Sequence, residues 1–287
     1  MAPRVSRYMT TDVIVARPSD NLAHIRRLML RHMISRIVIV DEDNKPVGIV
    51  TISDIIEAVI NKYASRPLTS ITAEQVMSTD LKTITPRKSI KSAAELMLKN
   101  KIGGLIVVNE DGTLAGLVTR TDLARAFAEN YRGEYLVGDL AREPYAIADR
   151  YHSIFHVARL IQLDPAGKVI VVDEDRRPIG VIAKRDLAFA SIPVEATMMR
   201  GKDRYRRIKA PDIRGADKIV AVRNYLVPVA ADIMTPDPIT VKPDVDAAEA
   251  AQVMVSNGIG VLPVVDDEGK LDKIITKIEL LRAIAGH

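Results

Sequence analysis

The sequence has no cysteine and no tryptophan, and aromatic residues make up only 4% of it. Without cysteine there is no disulfide framework, no thiolate nucleophile and no cysteine metal site, and thiols leave no mark of the compartment. So few rings leave little for stacking bases. No apolar run approaches the roughly 18 residues of a membrane span, and Met1 to Asp12 lacks the apolar core of a signal peptide. A cytoplasmic, membrane-free protein is expected. There is no Gly-x-x-x-x-Gly-Lys-Ser/Thr loop and no Gly-x-Ser-x-Gly elbow, and no cluster of acid, base and nucleophile can be named. This argues against an enzyme and for a protein that needs no cofactor. Neither charge dominates: 41 Lys and Arg stand against 37 Asp and Glu, a net +4, with pI near 9.2. That balance reads as a mixed solvated surface, not a nucleic-acid binder.

What is present is ordinary for a globular chain, with 47% apolar and 27% charged residues. Abundant Ile, Val, Arg and Glu without Cys give it a thermophile-like composition. The chain is organised by repetition. Gly48-Ile-Val-Thr51-Ile-Ser-Asp54 returns as Gly116-Leu-Val-Thr119-Arg-Thr-Asp122, as Gly180-Val-Ile-Ala183-Lys-Arg-Asp186 and, most altered, as Lys273-Ile-Ile-Thr276-Lys-Ile-Glu279. Each is an apolar run with an acid just beyond it and an apolar-periodic segment after that, the pattern of a strand entering a helix. The register holds outside the motif: Thr119 follows Thr51 by 68 positions, and Met77 follows Met9 by the same 68.

In the first unit Val13 to Ala16 reads as a short strand closed at Pro18. Ser19 or Asp20 caps a helix with the stripe Leu22, Ile25, Leu28, Met29 and Met33. Arg36 to Val40 and Val47 to Thr51 form a hairpin across a polar turn, and a second helix carries Ile55, Ile56, Val59 and Ile60. The unit is β-α-β-β-α, an α+β fold. A lone unit of about 55 residues is marginal, so units are expected to pair and pairs to stack.

The pattern resembles the cystathionine beta-synthase (CBS) domain, found in pairs called Bateman modules. The resemblance is carried by the Met-Thr openings (Met9-Thr10, Met234-Thr235), the strand-then-Pro step (Pro18, Pro86, Pro243), the strands ending at Asp41, Asp173 and Asp266, and the Gly-h-x-Thr-x-x-Asp corner, where h is apolar. It implies CBS domains at 8–62, 74–130, 137–190 and 232–287, with an extended basic linker at 191–231. These would pair into two modules forming a pseudo-symmetric disc, similar to archaeal stand-alone CBS proteins and the gamma subunit of AMP-activated protein kinase. It also implies adenosyl ligands in the clefts: AMP, ADP or ATP, S-adenosylmethionine, or a dinucleotide.

At Thr51-x-x-Asp54 and Thr119-x-x-Asp122 a carboxylate suits ribose hydroxyls, and a neighbouring hydroxyl at a helix N-terminus suits a phosphate. Spacing alone reads the same residues as capping boxes; with the resemblance, the ligand reading takes precedence for units one and two. The family often carries a basic side chain just before the second strand. Here Ser35-Arg36 and Lys168 hold that place in units one and three, while Gly104 and Val261 hold it in units two and four. Arg120 follows Thr119. Unit three keeps Asp186 but has Ala183 for the hydroxyl; unit four keeps Thr276 but has Lys273 for glycine and Glu279 for Asp. Adenine is expected between apolar side chains near Val13 to Val15 or Leu81 to Thr83, positions equally explained as core. One or two occupied sites are expected, most of all in the first module.

Between units three and four, Arg200 to Lys209 holds six basic residues and one acid, followed by Arg214. This 200–214 segment is a mobile loop, a docking element for an unidentified protein partner, or a nucleic-acid contact. A helix is expected over Ala216 to Tyr225. Helix faces such as Ile55 to Ile60 serve a homodimer or internal packing. His152 and His156 have i,i+4 spacing, yet the Glu of a His-Glu-x-x-His motif is missing, so no metal site is expected.

Overall fold

The computed structural model describes residues 3–58, 62–63, 66–189 and 228–286. The basic 200–214 segment and the expected helix at Ala216 to Tyr225 lie outside these residues, as do Val59 and Ile60. Unit one consists of β1 (Val15–Ala16), α1 (Leu22–Arg31), β2 (Arg36–Val40), β3 (Pro46–Thr51) and α2 (Ile52–Glu57). Unit two follows with β4 (Thr83–Ile84), α3 (Ile90–Lys99), β5 (Gly104–Val108), β6 (Leu114–Thr119) and α4 (Arg120–Asn130). After a short α5 (Val137–Leu140), unit three comprises β7 (Ile147–Asp149), α6 (Ile154–Leu163), β8 (Lys168–Val172), β9 (Pro178–Ala183) and α7 (Lys184–Phe189). Unit four opens with α8 (Ala230–Ile233) and β10 (Thr235–Pro236), then α9 (Ala247–Ser256), β11 (Val261–Val265), β12 (Leu271–Thr276) and α10 (Lys277–Ala285).

In units one to three the first strand runs parallel to the second, and the second is antiparallel to the third. Unit four reduces its first strand to one parallel bridge, Val241 with Val264. All four hairpins shift register at the same step, between Ile39 and Val40, Val107 and Val108, Val171 and Val172, and Val264 and Val265. The bulge is thus a property of the repeated unit.

Helix starts follow their caps. Asn21, Ser89, Ser153 and Asp246 each accept a backbone N–H of the first turn of the first helix of their unit. In unit one the cap is Asn21, not Ser19 or Asp20, because Asp20 Oδ2 instead accepts the Arg17 N–H at 2.7 Å. Met33 does not extend the α1 stripe: it takes φ 53° beyond the helix end and is 68% exposed.

Units one and two meet sheet to sheet through Val38, Val40 and Ile106, and units three and four through Ile170, Val261 and Ile274. Each unit also lends its opening segment to its mate's third strand: Ser78 bridges Ile49, Thr10 bridges Leu117, Thr235 pairs with Val181, and Arg142 bridges Ile274. This exchange explains the recurrent glycine. A side chain on Gly48 would meet Met77 Sδ at 2.2 Å, and one on Gly180 would meet Met234 Sδ at 2.3 Å. On Gly116 it would meet the Thr10 carbonyl oxygen at 2.7 Å and Met9 Sδ at 3.3 Å. Where unit four has Lys273, its mate opens with Leu140 and Ala141 in place of the methionine.

The two pairs join through helices. α3 and α4 of unit two pack on α9 and α10 of unit four around Phe127 and many small residues, among them Ala93, Ala124, Ala250 and Ala251, which allow close approach of backbones. Units one and three meet where α2 packs on α7. The four units therefore close a ring. No helix among the described residues is long and apolar enough to cross a membrane.

Candidate functional site

At the middle of the ring lies one cavity of about 1130 Å³ lined by residues of all four units. Two lobes are recognisable in its wall. One surrounds Thr51 to Asp54 and is walled by Ser78 and Asp80 to Lys82; the other surrounds Ala183 to Asp186 and is walled by Thr235 to Ile239. Between them sit Arg36, Arg120, Lys168 and Lys277, with Lys184 and Arg185 beside the second lobe.

The repeat places these side chains. Arg36 and Lys168 are the first residues of β2 and β8, equivalent places from which both reach the cavity. Each faces the glycine of its mate: a side chain on Gly104 would meet Arg36 Nη1 at 2.2 Å, and one on Gly260 would meet Lys168 Cε at 3.5 Å. The first residue after the strand-to-helix corner is Arg120 in unit two and Lys277 in unit four. Arg120 Nη2 donates to the Ile102 carbonyl at 3.2 Å, while its Nε is buried without a partner. Lys277 Nζ donates to Thr121 Oγ1 at 2.9 Å. The Arg36 guanidinium makes no hydrogen bond or ion pair among the described residues.

The electrostatics follow from this crowding. Burial, then repulsion from Arg120, pushes Arg36 down to about 10. Burial lowers Arg120 as well, and it lowers Lys168, with Arg185 adding repulsion against the attraction of Asp186. Lys277 is pushed down to about 8 by burial and then by the charge of Lys168. Cations held together against their own repulsion make a receptor for an anion carrying several charges.

All four corners turn an acid back on their own backbone, and they differ in what remains. Asp54 Oδ2 accepts Thr51 N and Thr51 Oγ1, each at 2.7 Å, and Asp186 Oδ2 accepts Ala183 N at 2.6 Å. Both acids line the cavity. Asp122 Oδ2 accepts Thr119 N and Oγ1 at 2.8 Å, but its Oδ1 also accepts Arg125 Nη2 at 3.1 Å. It is 8% exposed, and burial pushes its carboxyl up. Glu279 Oε2 accepts Thr276 N at 3.0 Å and its Oε1 accepts Arg142 Nε at 3.0 Å. Thr276 is fully buried and Glu279 nearly so.

The structure thus brings Ser35, Arg36, Thr51, Asp54, Arg120, Lys168 and Asp186 to one cavity. Thr119, Asp122 and Thr276 lie outside its wall in the unit-two and unit-four corners. Val13 and Val15 pack in the interface between the first two sheets, and Thr83 is an exposed position of β4. Of the positions expected near adenine, Leu81 lies in the wall, as do Lys184 and Arg185 beside Asp186. Sequence reasoning did not single out Lys277, Ser78 and Asp80; Lys277 carried a signal, a basic residue directly after the corner, shared with Arg120 and Lys184. His152 and His156 stack at 4.3 Å between ring centres, and no cluster of three or more potential metal-ligating residues occurs among the described residues.

A ring of four β-α-β-β-α units, paired by exchanged openings around a central cavity, is the architecture of a tandem-repeat protein. The chain belongs to the CBS domain family, whose profile matches residues 5–61, 73–129, 137–192 and 229–286. It is 26% identical over 293 residues to the uncharacterized protein MJ1225 of Methanocaldococcus jannaschii, covering 98% of this chain and 95% of that protein. The crystal structure of MJ1225, proposed as an archaeal homolog of g-AMPK, superimposes over 98% of this chain and all of that one, with a TM-score of 0.76 and 23% identity. A conserved uncharacterized protein of Pyrococcus horikoshii matches over 98% of this chain and 99% of its own, with a TM-score of 0.65 and 19% identity.

Proposed function

We propose that this chain is a non-enzymatic regulatory module that binds adenine nucleotides, AMP, ADP or ATP, in the two open lobes of its central cavity and signals to a protein partner through the ring. The observation that carries this reading is the Arg36 guanidinium, which stands in the cavity without a protein partner, close enough to Arg120 to feel its charge. A partly buried cation beside a second cation, offset only by the charge of Asp122 and with no hydrogen-bonded counter-ion, favours an anion that supplies one. Arginine offers a planar fork suited to phosphate oxygens.

In this reading a ribose approaches Asp54 or Asp186, whose carboxylates lie in the wall. The base lies against apolar wall residues, Ile49, Leu81 and Ile106 in the first lobe and Val181 and Ile239 in the second. The phosphates run inward to Arg36, Arg120, Lys168 and Lys277. Asp54 and Asp186 stand in the first turns of α2 and α7, the helices that form the seam between units one and three. A ligand that draws on these acids acts directly on that seam, so occupancy alters the surface offered to a partner by as much as the ligand prefers one seam geometry over another.

Isothermal titration of nucleotide-free protein with AMP, ADP, ATP and S-adenosylmethionine tests the reading. Heat with the nucleotides, of which Arg36→Met removes the first-lobe event and leaves the second, supports it. No binding by any of the four would overturn it, and binding of S-adenosylmethionine alone would transfer the site to a sulfonium ligand.

A further inference from the structure

The second pair contains a buried ionic strut for which the first pair has no counterpart. Arg142, in the joint between units two and three, donates from Nη2 to Asp164 Oδ2 at 2.7 Å and from Nε to Glu279 Oε1 at 3.0 Å. The side chain of Arg142 is 13% exposed, that of Asp164 0% and that of Glu279 2%. In the repeat register the equivalent positions of the first pair hold Thr10, His32 and Asp122. Replacement of the usual Asp by Glu279 is therefore matched: the longer arm keeps the cap on Thr276 while reaching Arg142.

Both carboxylates lead to the cavity. Asp164 Oδ1 accepts the backbone N–H groups of Ala166 at 2.7 Å and Lys168 at 3.4 Å, and the Asp164 carbonyl accepts Gly167 N at 2.8 Å. The loop that delivers Lys168 to the wall is thus folded around Asp164. Glu279 holds Thr276, the residue before Lys277. Arg142 also pairs through its own N–H and C=O with Ile274 of β12, at 2.9 and 2.8 Å. One guanidinium therefore spans the two elements that carry the facing ammonium groups, which left to themselves repel.

We infer that Arg142 is a positioning residue that sets how strongly the second lobe distinguishes a triphosphate from a monophosphate, by clamping the Lys168 loop and the Lys277 helix start at close range. The inference rests on the nucleotide reading above. Two ammonium groups held close reward each added phosphate charge, whereas groups free to separate reward it less. The other charged groups around Lys277 are Asp122 and Arg185; neither touches Arg142.

The test compares the full-length protein with Arg142→Met and with the triple variant Arg142→Met, Asp164→Asn, Glu279→Gln. The single change strands two buried carboxylates and risks unfolding. The triple variant replaces the three buried ionic groups with neutral ones that retain acceptors for Ala166 N and Thr276 N, a replacement that buried ion networks tolerate; Arg282, whose Nη1 lies 3.6 Å from Glu279 Oε1, is half exposed and keeps its charge in water. The triple variant also removes one net negative charge, which by itself would favour anions and hold Lys277 lower. Both expected changes run against that effect. In an Arg36→Met background, where the second lobe reports, the ratio of ATP to AMP affinity should fall about tenfold, the scale of one charge-assisted hydrogen bond. In the free protein the titration of Lys277, followed by competitive labelling with acetic anhydride and mass spectrometry, should move upward toward that of an ordinary lysine. A triple variant that folds and leaves the ratio unchanged overturns the inference. Should the unmodified protein bind no adenine nucleotide, the functional reading fails separately, and an unmoved Lys277 titration then overturns the positioning role on its own.

Discussion

Gly104→Ala separates the ligand role of Arg36 from any structural role. A methyl group at this position would lie 2.2 Å from Arg36 Nη1 and 3.1 Å from the Val118 carbonyl oxygen. Ordinary contact is about 3.5 Å, so the guanidinium must swing away by roughly an ångström or more while the strand barely adjusts. The fold loses little, because the displaced group is the flexible end of a side chain, and replacing glycine lowers unfolded-chain entropy by about 0.4–1 kcal/mol in compensation. The ligand loses a charge-assisted contact of about 1.5–3 kcal/mol, a fall in affinity of roughly 10- to 150-fold. Calorimetric titration with AMP, paired with a thermal melt of the free protein, reads both quantities. Gly260→Ala is the internal control: its methyl would meet Lys168 Cε at an ordinary 3.5 Å, and affinity should stay within about twofold. Undiminished AMP binding in Gly104→Ala would refute the assignment of Arg36 to phosphate. A loss of affinity that merely tracks a falling melting temperature would refute it equally.

Asp54→Ala should both weaken nucleotide binding and cost about 1 kcal/mol through its lost cap, whereas Asp122→Ala, whose carboxylate is off the cavity wall but offsets the charges of Arg36 and Lys277, should lower stability without weakening affinity, since the cavity then keeps its cations and loses a negative charge; paired titrations and melts distinguish the two. Lys277, lowered from 10.5 to about 8, holds its proton less firmly folded than unfolded, so its contribution to stability should rise as pH climbs from about 8 to 10.5. A bound anion reverses that preference. Nucleotide binding at pH 9 should therefore take up protons, affinity should fall between pH 7.5 and 9.5, and Lys277→Met should remove this dependence, as titrations in two buffers of different ionisation enthalpy would reveal. Phe127, fully buried between the pairs and stacked on Tyr131 at 4.8 Å, should cost about 3–5 kcal/mol when cut to Ala, which chemical denaturation measures.

The architecture was legible because a repeat states its pattern four times. Strand-to-helix corners, turn residues and the spacing between them agree across units, and one misjudged cap, Asn21 beside Ser19 and Asp20, changes nothing larger: three competent residues stood in a row, and the hydrogen bond from Arg17 N to Asp20 decided among them. The Met-Thr openings and the corner glycines were both visible as repeated signs, but not that they touch. That contact joins neighbours in a pair, so each glycine answers to a methionine belonging to the other unit. The motif ranked units one and two by completeness of Thr-x-x-Asp. The cavity opens instead beside Asp54 and Asp186, because the side of a corner facing the ring depends on how pairs stack, and that lies in the sum of many helix contacts. Lys277 illustrates the same limit: one lysine among many in the chain, it becomes distinctive only when Lys168 is brought alongside it.

The exchange of opening segments has a consequence for how such a chain is put together. A unit cut from its mate would end its sheet in unpaired N–H and C=O groups and leave a groove over its glycine where a methionine should lie, an invitation to pair with whatever strand is nearest. The smallest piece that finishes its own edges is two units long. A protein built this way lengthens by twos, and an odd number of units would leave one sheet looking for a stranger to complete it.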